Sequence, residues 1–178
     1  MLVWNIFPFI VPLAFALIGE RAIETDINIY AYGINITGFQ IYADSNSKAV
    51  IADNTTALAQ GLNNITWAID TKGSVPWNVT LANSSTIGHF YIMPSADESQ
   101  GAGFNTTTPT GAVTTGFIIY GSTVEYSTAT TYESQFYAQN SSTGVYNLMW
   151  NVNSESLDDG VPVVLKTIAP PSLPFAFN

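Results

Sequence analysis

An apolar–polar alternation of period two recurs from Ile27 to Leu165, and it constrains this chain more than any other feature. Ile27, Ile29 and Ala31 alternate with Asn28, Tyr30 and Tyr32, and Phe39 and Ile41 alternate with Gln40 and Tyr42. The pattern returns at Ile65, Trp67 and Ile69, then at Trp77, Val79 and Leu81, and again at Phe117 and Ile119. It continues through Phe136 and Ala138, through Tyr146, Leu148, Trp150 and Val152, and ends with Val161, Val163 and Leu165. Side chains that alternate faces every residue belong to strands, whereas a helix repeats its apolar face every 3.6 residues. About ten short strands are predicted, separated by turn-rich spacers such as Asp44-Ser45-Asn46-Ser47, Thr71-Lys72-Gly73-Ser74, Asn140-Ser141-Ser142-Thr143-Gly144 and Asp158-Asp159-Gly160. Only Thr55 to Leu62 reads as helical, for about two turns. The expected fold is all-β: an antiparallel two-sheet sandwich, with a closed β-barrel as the alternative.

A chain of 178 residues with 47% hydrophobic and 13% aromatic content can bury a core of its own, which excludes disorder. We expect one domain over 20–170, with a long Gly-, Ser- and Thr-rich loop near 95–114, and a tail over 171–178. Trp67, Trp77 and Trp150 fall on the apolar side of their strands and are read as core. Two stretches echo one another: Thr37-Gly38-Phe39-Gln40-Ile41-Tyr42 with Thr115-Gly116-Phe117-Ile118-Ile119-Tyr120, and Trp77-Asn78-Val79-Thr80 with Trp150-Asn151-Val152-Asn153. Either an old duplication relating two sheets or chance recurrence of aromatic strands accounts for them.

The N-terminus reads as a secretory leader over residues 1–19. Ile6 to Ile18 is apolar and uncharged, too short to span a bilayer as a helix, and Ala14-Phe15-Ala16 gives the small-x-small pattern of a cleavage site. Cleavage is expected between Ala16 and Ala22, leaving no membrane span in the mature chain. Asn-x-Ser/Thr sequons begin at Asn35, Asn54, Asn64, Asn78, Asn83, Asn105 and Asn140. The 15 Asn and 35 Ser plus Thr would produce roughly three by chance, so seven is an excess. In the strand readings Asn78 and Asn64 fall opposite the apolar face, where a glycan can project into water. Leader and sequons together predict a secreted, N-glycosylated protein of the extracellular space or cell wall.

Composition removes several chemistries. Four Lys plus Arg against 13 Asp plus Glu cannot form a phosphate-binding patch, so nucleic acid is not an expected partner. The absence of Cys removes disulfides, thiol catalysis and thiolate metal sites. His89 is the sole histidine and stands in a strand pattern without a Gly-x-Ser-x-Gly elbow, so it reads as a structural residue. Asp158-Asp159-Gly160 and Asp97-Glu98 lack the ligand spacing of a calcium loop and read as turns. No metal or cofactor is expected. A glycosidase needs only two carboxylates, and Glu125 and Glu133, on neighbouring predicted strands, are the best available pair for that alternative.

The favoured chemistry is binding. Opposite the core, the alternation exposes Tyr30, Tyr32, Tyr42, Tyr120 and Tyr137, whose flat rings and polar tips suit sugar rings or a protein surface. The order of a leader, Ile27-Asn28-Ile29-Tyr30-Ala31-Tyr32-Gly33, Ile41-Tyr42-Ala43-Asp44, Thr115-Gly116-Phe117 with Tyr120-Gly121, Ser134-Gln135-Phe136-Tyr137-Ala138, Trp150-Asn151 and a terminal Val161-Pro162-Val163-Val164-Leu165-Lys166-Thr167-Ile168-Ala169-Pro170 resembles a family of small secreted proteins of filamentous ascomycete fungi. The resemblance covers about residues 25 to 171 and implies source, secretion and a β fold, with no assigned activity and no site residues. The expectation is a non-catalytic, wall-associated or surface-interacting protein whose partner is a cell-wall polysaccharide or an extracellular protein. The alternatives are a carboxylate glycosidase and an effector acting on a host or competitor protein.

Overall fold

The computed structural model describes residues 23–152 and 156–171. The expected leader, its cleavage region from Ala16 to Ala22 and the tail beyond residue 171 lie outside the described residues. The first half contains β1 (Ile23–Ile27), β2 (Tyr30–Gly33), β3 (Ile36–Ala43), β4 (Ala49–Ala52), α1 (Asn54–Ala59), β5 (Ile65–Asp70), β6 (Asn78–Leu81) and β7 (Thr86–Tyr91). The second contains β8 (Gln100–Gly101), β9 (Gly103–Asn105), β10 (Phe117–Tyr120), β11 (Thr123–Ser127), β12 (Tyr132–Glu133), β13 (Phe136–Ser142), β14 (Val145–Trp150) and β15 (Gly160–Lys166). The all-β expectation holds, and the one α-helix among the described residues, Asn54–Ala59, overlaps the stretch expected from Thr55 to Leu62.

Every named strand pairing is antiparallel. Five strands form one sheet in the order β1-β5-β6-β7-β9. Ten form the other along β10-β11-β15-β13-β14-β4-β3-β2, with β12 on β11 and β8 on β14. That sheet also closes on itself, because Val163, Val164, Leu165 and Lys166 of β15 pair with Gly33, Tyr32, Ala31 and Tyr30 of β2. The closed ring is a six-stranded barrel, β2-β3-β4-β14-β13-β15, so the sandwich and the barrel weighed from the sequence occur in one molecule.

The barrel shows how strictly the alternation is read. Ile41 opposes Ile51 and Ala43 opposes Ala49 on the inside, while Tyr42 opposes Val50 on the outside. Ala31, Ile41, Ile51, Ala138, Leu148, Val163 and Leu165 are all buried in the main core, and small or branched side chains suit the narrow interior of a barrel this size. Two strands of the barrel exchange partners partway along. The edge of β14 is covered by β4 at Val145–Asn147 and by β8 at Met149–Trp150, and one edge of β15 passes from β13 at Gly160–Pro162 to β11 at Lys166.

Aromatic side chains fill the space between the two sheets. Trp67 meets Phe90 at 5.2 Å and Phe104 at 5.4 Å, and Phe117 of the larger sheet meets Phe90 at 4.8 Å and Trp77 at 5.6 Å. All three tryptophans read as core are 0–1% exposed. Within the stretch read as a loop near 95–114, Gln100–Gly101 and Gly103–Asn105 are strands, and Ala102 and Phe104 between and within them are buried. Here the glycines flanking Ala102 conceal the alternation, since a residue without a side chain contributes to neither face. The two echoes divide on the duplication reading: β3 and β10, which carry the first, lie in the same sheet, whereas the second sets β6 of the smaller sheet against β14 of the larger.

Candidate binding face

Because Ala31 and Leu165 point into the barrel, their neighbours Tyr30, Tyr32, Val164 and Lys166 point out of it. One cross-strand row on this outer face runs Tyr120–Thr123–Lys166–Tyr30–Gln40, across β10, β11, β15, β2 and β3. Tyr120 and Tyr30 are thus separated by about 14 Å along the sheet, three strand spacings. The adjacent row runs Val164–Tyr32–Thr37. Tyr137 opposes Pro162 on one side and Met149 on the other, one register step along β15 from Val164.

The tyrosines on this face are held in place. The Tyr32 hydroxyl donates to the Ile168 carbonyl at 2.8 Å, and the Lys166 ammonium sits 5.5 Å from the centre of the Tyr32 ring, a cation–π contact. Burial pushes the Tyr32 phenol above its ordinary range, and neighbouring Tyr30 adds to the shift. A register irregularity between Ala31 and Tyr32 places Gly38 in a left-handed conformation at φ 86°, where Pro170 packs on the site a Cβ would occupy. The segment Ile168–Pro170 therefore lies against this face. Ile168 at 60% and Val164 at 39% exposure add apolar surface to it.

Not all five predicted tyrosines belong to this surface. Tyr30, Tyr32 and Tyr137 are half-buried on the open outer face, and Tyr120, 69% exposed, lies at the turn between β10 and β11. Tyr42 does not take part. It points out of the barrel, as the alternation requires, but it is only 4% exposed in a small second core with Val50, Ala52, Ala57 and Val145, beneath α1. Burial raises its phenol pKa, with further contributions from the Asp53 carboxylate and from Tyr30. A helix laid over a sheet from elsewhere in the chain leaves no trace in the strand's own period.

The carboxylate pair also fails. Glu125 opposes Ile118, whereas Glu133 opposes Tyr126, and residues 125 and 126 project to opposite faces of β11. Glu133 shares the side of Tyr126, whose phenol it helps burial push up, and accepts a hydrogen bond from the Thr131 hydroxyl at 3.1 Å. The register thus leaves the two carboxylates on opposite faces and does not bring them together at one site.

Residues that the pattern did not single out complete the face. Where β14 passes from β4 to β8, a hollow of about 140 Å³ opens, floored by Ala49, Gly101 and Ala102 and walled by Lys48, Gln139, Asn147 and Met149. Met149 opposes Tyr137, so the hollow adjoins the tyrosine face. The Gln139 carboxamide donates to the Asp158 carbonyl at 3.3 Å and keeps its oxygen as an acceptor. A long lysine from a loop and two carboxamides that meet only through pairing of β13 with β14 have no linear signature.

All seven sequon asparagines are exposed: Asn35, Asn54, Asn64, Asn78, Asn83, Asn105 and Asn140. In three of them the side-chain oxygen is engaged: Asn64 accepts from the Gln40 carboxamide at 2.8 Å, Asn83 from the Ser85 amide and Asn105 from the Thr107 amide, both at 3.0 Å. His89 lies half-buried on β7, between Asn78 and Asn105 in one cross-strand row. Among the described residues, no group of three or more His, Asp or Glu side chains is placed to hold a metal ion, and no helix is long and apolar enough to cross a membrane. No protein-family model, curated protein or solved structure matches the chain.

Proposed function

We propose that this is a secreted fungal glycoprotein that binds cell-wall polysaccharide, without catalysis, through the outer face of its barrel. The observation that carries the reading is the pair Tyr30 and Tyr32, in adjacent rows beside Lys166 and Val164, continuing through Tyr137 to the hollow bounded by Gln139 and Asn147. Flat rings offer the apolar faces of a sugar something to stack on, and carboxamides offer both donors and acceptors to its hydroxyls. A long, shallow face suits an extended polymer better than a small metabolite. Secretion is supported by the leader-like N-terminus, and glycosylation by seven exposed sequons.

The test is retention of the natively glycosylated protein on insoluble glucan, chitin and mannan, alongside a Tyr30→Ala/Tyr32→Ala double variant. Loss of two stacking rings should weaken retention on the polymer that binds by about thirtyfold, at roughly 1 kcal/mol per ring. Wild-type protein that is retained on none of the three, or a double variant that binds as well as wild type, would sink the carbohydrate reading. Capture of a host or microbial protein by the same face would favour the effector reading instead.

A further inference from the structure

A second concavity, beyond the Gln40 end of the tyrosine row, lies between two sequons. It has a volume of about 250 Å³, with Asn64 and Asn83 on its rim and Leu62 and Leu81 in its lining. The two leucines come from different parts of the molecule. Leu62 follows α1 and packs on the small core outside the barrel, whereas Leu81 ends β6 of the five-stranded sheet and packs on the main core. Backbone bonds fix the rim: the Ala82 amide donates to the Asn64 carbonyl at 3.1 Å, and the Asn63 amide to the Ala43 carbonyl at 2.9 Å.

We propose that this hollow seats the first N-acetylglucosamine of a glycan on Asn64, so that the sugar bridges the barrel and the five-stranded sheet. The inference rests on the glycoprotein reading above. Glycosylation replaces one hydrogen of Nδ2 and leaves Oδ1 as an acceptor. Asn64 is arranged for that outcome, because its Oδ1 already accepts from the Gln40 carboxamide at 2.8 Å and Nδ2 is left to carry the sugar. Gln40 is not part of the lining, whereas Asn64 is. The concavity has the scale of one substituted pyranose, and the leucines give its apolar face and acetamide methyl group a surface that water solvates poorly. A sugar seated here would add packing between the two sheets, reinforcing the backbone bonds already there.

The experiment uses protein secreted from a eukaryotic host, with occupancy read site by site by glycopeptide mass spectrometry and release followed under non-denaturing peptide N-glycosidase. The glycan on Asn64 should be removed about tenfold more slowly than those on exposed Asn54 and Asn140, because the enzyme must wait for the sugar to leave its seat. Leu81→Ser, and independently Gln40→Ala, should bring its release up to the rate at Asn54. Asn64→Gln should lower Tm by about 2–4 °C, while Asn140→Gln should leave it unchanged. Release at one common rate, or an unoccupied Asn64 in a protein glycosylated elsewhere, overturns the proposal alone. Absence of glycan at every sequon overturns the reading beneath it.

Discussion

Trp67 and Trp77 are equally buried and stack edge to face at 6.3 Å, yet they should respond differently to the same substitution. The Trp77 indole N–H donates to the Asp70 carbonyl at 3.0 Å, whereas the Trp67 Nε1 is buried with no hydrogen-bond partner. Changing either to Phe removes similar volume, but in Trp67→Phe an unsatisfied polar atom leaves as well, which offsets part of the loss. Urea unfolding should therefore find Trp77→Phe less stable than Trp67→Phe by about 1 kcal/mol. Asp53 makes a second case. It caps α1 by accepting from the Thr55 and Thr56 amides at 2.9 and 3.0 Å and from the Thr56 hydroxyl at 2.6 Å. The Thr56 hydroxyl and amide bonds lead in holding its carboxyl below the ordinary value of 3.8. A carboxylate whose pKa falls on folding stabilises the fold above its unfolded pKa, and that contribution disappears as pH drops through the lowered folded value. Asp53→Ala should accordingly cost about 1 kcal/mol at neutral pH, and the gap to wild type should narrow below about pH 3.8 in pH-resolved thermal melts.

At the level of strands, the sequence reveals local pattern and conceals pairing. The alternation Ile65, Trp67, Ile69 is visible because each inward residue is large and apolar while the intervening Thr66 and Ala68 are small, whereas between Val163 and Leu165 the exposed Val164 blurs it. Which strands meet is a long-range matter. Nothing near Ala31 announces that Leu165 lies across from it, so barrel closure could be weighed from the sequence but not chosen. The candidate face was legible to the same extent. Tyr30 and Tyr32 belong to it through their own strand, whereas Lys166, Met149 and Asn147 join through partners, and Tyr42 is lost to a helix that packs over it. Register also decides the cost of altering β7. Gly88 adopts φ 128° beside the irregularity between Val79 and Thr80, and a Cβ there would fall on the backbone of Asn105 and Thr106. Gly88→Ala must strain its own backbone and push β9 off β7, which should cost about 3 kcal/mol or more and be seen as a large fall in the urea midpoint.

For the whole molecule, the question is what makes two sheets behave as one folding unit. Rings supply a continuous path. From Trp67, Phe90 and Phe104 in the smaller sheet it passes to Phe117, then to Tyr126 at 5.9 Å, to Trp150 at 5.7 Å and to Phe136 at 5.0 Å on the barrel wall. Phe117 is where that path crosses from one sheet to the other, since it touches both Phe90 and Trp77 and is fully buried. With Trp150 of the larger sheet replaced by Phe, Trp67 and Trp77 report on the smaller sheet and its interface, while far-UV circular dichroism is dominated by the ten-stranded sheet. In that background the two signals should therefore coincide in one transition, as two-state unfolding demands. Phe117→Ala removes the crossing point and leaves a cavity, at about 3–5 kcal/mol. If coupling runs through the rings, the variant's tryptophan fluorescence should change at lower urea than its circular dichroism, because the smaller sheet, with its exposed edge strand β1, is the less supported of the two. Coincident transitions at a lowered midpoint would place the coupling in the backbone bridges instead, where Lys48 pairs with Gly103 and Ala43 with Asn63.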